Sequence, residues 1–176
     1  PPVRSGGRRR RPGRVVRVFW TGLAILAALL VASSLSRLLP EVAPVLDPFL
    51  LVVVYGALSR GETHGMLTGV AAGWVQDVNF GGTVIGIAPL SKLVVGYGVG
   101  LAASRFLLAG PGPRTLTLLL AVMADALLFS WVASVFDVRT AVLSPLALAS
   151  RATLNAAVGV VVFELVACRF RRESFS

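Results

Sequence analysis

Apolar residues run through this chain in long uncharged stretches, broken by short segments rich in Pro, Gly and Arg. The runs lack the alternation of a half-buried strand and are long enough for membrane helices. Six spans are predicted: Val15–Leu39, Val45–Ser59, Gly65–Phe80, about Ile87–Leu108, Thr115–Phe136 and about Val142–Cys168. The breaks between them are PEVAP, the polar turn Arg60–Gly61–Glu62–Thr63–His64, GGTVIG, AGPGPR and DVRT. Asp47–Pro48 opens the second span, since proline is tolerated in a helix's first turn. The expected fold is an all-α membrane bundle of about six transmembrane helices. A disordered basic tail (1–14) precedes the 15–168 bundle, and a basic tail (169–176) follows it.

Composition agrees with the pattern. The chain is 56% hydrophobic and only 14% charged over 176 residues, against about a quarter charged in an ordinary soluble domain. That length leaves no room for a large domain outside the bilayer.

The net charge of +9 changes the picture through its placement. Seven arginines lie in the first seventeen residues, directly before an apolar run. This suits a cytoplasmic tail facing anionic lipid, and nucleic acid is not an expected partner. With the N-terminus inside, thirteen arginines fall on the cytoplasmic side and two, Arg37 and Arg139, on the outer side. Both termini are therefore expected in the cytoplasm. Trp20 and Trp131 fit interfacial belts.

Ionisable groups inside a membrane are costly and demand a partner or a task. Asp77 and Lys92 lie at similar depth, about 18 Å from the cytoplasmic end by the 1.5 Å helical rise. Asp125 and Arg151 both fall near the midplane, with Asn155 one turn from Arg151. Depth therefore pairs Asp77 with Lys92 and Asp125 with Arg151. These pairs read either as neutral struts, as the lining of a polar ligand cavity, or as a proton relay. Glu164 is expected near the inner end, within reach of Arg169 or the interface.

Small residues recur at helical spacing in Ala24, Ala28 and Ala32, in Gly65, Gly69 and Gly73, and in Gly96 and Gly100. Such stripes let helices approach closely. They serve either packing within the chain or docking of a partner helix, with the alanine stripe the best candidate for the second. A single cysteine, Cys168, excludes a disulfide framework. His64 has no second histidine or cysteine to share a metal, and no catalytic constellation or cofactor fingerprint assembles. Gly81, Gly82 and Gly86 lack the Gly-Lys-Ser/Thr of a phosphate loop. No enzymatic activity, cofactor or metal is expected.

The stretch from Leu46 to Gly100 carries more. Asp47–Leu58 is a short apolar helix behind a polar residue, and a glycine-spaced helix ends in Gly73-x-x-x-Asp77. A loop follows with Gly81 and Gly86, then a helix bearing Gly96–Tyr97. This series resembles the core of MreD, a family of bacterial rod-shape-determining membrane proteins. The resemblance implies a non-enzymatic scaffold that binds the single transmembrane helix of MreC. Through MreC it would connect MreB filaments with the peptidoglycan synthase RodA and a penicillin-binding transpeptidase. A second copy of the chain is a further candidate partner. The resemblance also implies a fold like the S-components of energy-coupling-factor transporters. A vitamin-binding S-component, docking through the alanine stripe, is therefore the alternative function.

Overall fold

The computed structural model describes residues 14–80, 85–105, 111–137 and 145–173. Six helices follow one another: α1 (Arg14–Leu38), α2 (Pro48–Arg60), α3 (Glu62–Phe80), α4 (Ile87–Arg105), α5 (Pro111–Val135) and α6 (Pro145–Glu173). The described residues are helix and turn throughout, an all-α bundle. Four helices are long and apolar enough to cross a membrane, over Val18–Leu38, Ile87–Arg105, Gly112–Val135 and Pro145–Leu165. The other two, expected as crossings as well, are shorter or more polar. α2 has 13 residues, roughly 20 Å at 1.5 Å per residue. α3 carries too many polar side chains, Gln76, Asp77 and Asn79 among them, to match the others in hydropathy.

Local chemistry sets the helix ends. Asp47 caps α2, its carboxylate accepting the Leu50 N–H at 3.0 Å, and Pro48 fills the first turn. This is the usual way to satisfy an orphan N–H at a helix start. At the other end Gly61 takes φ 87°, a left-handed conformation cheap only for glycine, and donates to the Ala57 carbonyl. The expected five-residue turn is therefore a single glycine. α3 begins at Glu62, whose acid sits favourably in a helix's first turn. α6 likewise runs on to Glu173, through part of the expected C-terminal tail. The N-terminal tail up to residue 13, the loop segment 81–84, most of AGPGPR's approach (106–110) and nearly all of DVRT lie outside the described residues.

α2 lies at the centre, as its apolar character all round requires. Phe49 and Val53 pack with Ile25 and Ala28 of α1 and Ala72 of α3. Leu50, Val54 and Ala57 pack with α4 (Val95, Val99), α5 (Leu118, Ala121, Val122) and α6 (Ala152, Phe163). Burying a helix this short on every side leaves the longer helices to face lipid. Their outer surfaces are apolar: Leu23, Leu26 and Leu30 on α1, Leu120 and Leu127 on α5, Val161 and Leu165 on α6. Trp20 and Trp131 stand exposed near the ends of α1 and α5.

Candidate functional site: a buried charge network and its cavity

α3 and α4 run antiparallel with their backbones nearly touching. A methyl group added at Gly65 would overlap the Gly96 carbonyl, and one at Gly69 would lie 2.6 Å from the Lys92 carbonyl carbon. At Gly73 it would meet Pro89 and Ala88, and at Gly100 it would meet Glu62. The two glycine stripes thus face one another inside the chain. This contact fixes the rotation of α4 and points the Lys92 side chain into the bundle, where it is 2% exposed.

Lys92 meets two carboxylates there. Its Nζ lies 2.7 Å from Asp47 Oδ2 and 3.4 Å from Asp125 Oδ2. Asp125 also accepts from the Ser91 hydroxyl at 2.6 Å, through Oδ1. Asn155 of α6 closes the network. It accepts the Asp47 N–H at 2.9 Å and donates to the Val45 carbonyl at 2.8 Å, tying the α1–α2 connection to α6. Each buried ion costs several kcal/mol to desolvate, and only close partners with further hydrogen bonds offset that. Here each carboxylate has both.

Both expected pairings are corrected. Asp77 does not reach Lys92; its Oδ2 accepts the Gly86 N–H at 2.7 Å, stapling the end of α3 to the start of α4. Gly86 sits at φ 118°, so the staple holds a turn that other residues would strain. Arg151 does not pair with Asp125, which Ser91 and Lys92 occupy. It lines a cavity beside Asp47, with Ser36, Gln76, Phe49 and Phe80. The residue missed was Asp47, because an Asp-Pro at a helix start is explained by capping alone. Capping uses one carboxylate oxygen, and the second was free to take Lys92.

Of the two readings of the alanine stripe, the structure favours packing within the chain. Ala28 is buried against α2, Ala32 packs on the same cluster, and Ala24 is half-buried. The stripe seats α1 on the bundle and is not an open docking face. At the opposite end of α2, His64 lies in the first turn of α3 and not in a loop. Arg60 donates to its Nε2 at 2.9 Å, and Thr68 Oγ1 lies 3.0 Å from its Nδ1. Thr21 of α1 accepts from Arg60 at 3.0 Å, joining α1 to this cluster. Glu164 is exposed, and the side chain of its expected partner Arg169 lies outside the described residues.

Among the described residues the site therefore pairs Asp47 and Asp125 with Lys92 and sets α3 close against α4. Among the described residues, no three His, Cys, Asp or Glu side chains cluster to hold a metal.

The model of the family described as rod shape-determining protein MreD matches residues 14–168. The chain belongs to the MreD family. The match spans all six helices, well beyond the 46–100 stretch that carried the resemblance. It makes the chain a membrane protein of bacterial rod-shape determination, a shape-determining family rather than one known for catalysis. No curated protein and no solved structure matches the chain.

Proposed function

We propose that this MreD-family protein is a non-enzymatic scaffold of the cell-elongation complex, holding the transmembrane helix of MreC in the inner membrane. The observation that carries this reading is the family match over residues 14–168. The geometry supports it. Buried charges and glycine contacts are satisfied within the chain, as befits a rigid frame. The outer face of α1, with Leu23, Leu26 and Leu30, is left to lipid or to another helix. MreB, RodA and the penicillin-binding transpeptidase are reached through MreC. The termini lie in the cytoplasm, where the arginine-rich tails meet anionic lipid.

Co-expression with MreC and purification in mild detergent tests the reading. The two proteins should elute together at a fixed ratio. Clean separation of a folded bundle from a folded MreC would overturn it.

A further inference from the structure

α1 and α3 finish, and α2 and α6 begin, at the same end of the bundle. Between them lies a cavity of about 480 Å³, within the ~300–1,000 Å³ range of small-molecule sites. Phe49, Phe80, Pro40 and Pro44 give it apolar walls, while Arg151 and Gln76 supply polar groups.

Two of those polar groups are unspent. Among the described residues the Arg151 guanidinium makes no hydrogen bond or close ion pair, although it lies near enough to Asp47 to interact with it through space; its backbone carbonyl is engaged by Asn155. The Gln76 Oε1 is shut from solvent and has no partner. Leaving a buried acceptor unmade is expensive, so a donor brought by a ligand would offset the turning of the Gln76 amide towards the cavity it lines. Asp47, also in the wall, has its carboxylate engaged by Leu50 and Lys92. What the cavity offers a ligand is therefore a fork of guanidinium donors and one amide acceptor.

A matching ligand brings an oxyanion for Arg151 and an N–H donor for Gln76. Charge selects further. Asp47 and Asp125 already balance Lys92 and Arg151, so a bare anion would leave excess negative charge beside the buried carboxylates. A zwitterion would not. We propose that this cavity binds a phosphoethanolamine headgroup, its phosphate on Arg151 and its ammonium on Gln76. Membrane lipid is the favoured source. Exposed Ser36, Pro40 and Pro44 stand at the helix ends, beside apolar walls that suit the upper part of an acyl chain.

The full chain, purified in a neutral detergent, is melted with added phosphatidylethanolamine, phosphatidylglycerol or soluble glycerophosphoethanolamine. Phosphatidylethanolamine should raise Tm by several degrees more than phosphatidylglycerol. Gln76→Leu should abolish that preference, and Arg151→Gln should blunt the response to both lipids. A response to the soluble headgroup alone would support the headgroup chemistry and reassign its source. Equal responses of the wild type to both lipids, or a preference that survives both substitutions, would overturn the proposal. If Arg151→Gln does not fold, Arg151→Lys and native mass spectrometry of lipid adducts on the wild type decide. Absence of retained phosphatidylethanolamine would then count as refutation.

Discussion

Lys92 Nζ stands 2.7 Å from Asp47 Oδ2, joining a residue within α4 to the cap of α2, 45 positions away. Asp47 thereby holds two jobs, starting a helix and neutralising a buried ammonium. Its replacement should cost more than either job alone. Asp47→Ala should destabilise the bundle by about 3–5 kcal/mol, the scale for breaking a buried pair, with about 1 kcal/mol more for the lost cap. Asp47→Asn keeps the cap and should be milder. Thermal unfolding in detergent measures both; equal losses would mean that the cap contributes nothing, and no loss from Asp47→Asn would mean that the charge pair contributes nothing.

Asp125→Ala, by contrast, leaves Lys92 with its closer partner. Its cost should be smaller than that of Asp47→Ala, and largely independent of Arg151. A cycle combining Asp125→Ala with Arg151→Ala should show additive effects, as expected for residues that share no bond. Strong coupling in unfolding measurements would restore the pairing that depth alone suggests.

The glycine contacts make a paired prediction. Gly69→Ala forces a methyl against the Lys92 backbone and should cost about 1–3 kcal/mol, the usual range for overpacking. Gly98→Ala, two residues from Gly96 and so on the opposite side of α4, meets nothing within 4 Å. It should be neutral or stabilise by up to about 1 kcal/mol through helix propensity. Comparing the two melting temperatures checks the rotation of α4 directly.

Asp77→Ala removes the acceptor for the Gly86 N–H. The expected effect is local: faster hydrogen exchange at the end of α3 and the first turn of α4, with the core amides unchanged. Uniformly faster exchange across the bundle would show that Asp77 carries global stability instead.

Much of this was legible in the chain, for reasons that also explain the misses. Hydropathy placed the helices, and four-residue spacing marked Gly65, Gly69 and Gly73 as a close-packing face. Depth marked Lys92 and Asp125 as charges inside the bundle that need partners, but set them at different levels, although Lys92 in fact reaches Asp125. Rotation about the helix axis is not read from depth, so Asp77 and Arg151 received the wrong partners. Spacing alone left the stripe Ala24–Ala28–Ala32 open between packing within the chain and docking of a partner, for a related reason. In lipid both faces of α1 can be apolar, and small residues go where backbones meet. That contact lay within the chain, against Phe49 and Val53.

The central claim is that these buried charges build a frame for a partner helix and carry no chemistry of their own. The triple variant Asp47→Asn, Lys92→Met, Asp125→Asn removes every charge of the triad while keeping the α2 cap and an acceptor for Ser91. Its co-purification with co-expressed MreC is the most direct measurement. The variant should fold and retain MreC as the wild type does, since neutral replacement of a buried network is often tolerated. A variant that folds with wild-type stability yet no longer retains MreC would contradict the claim.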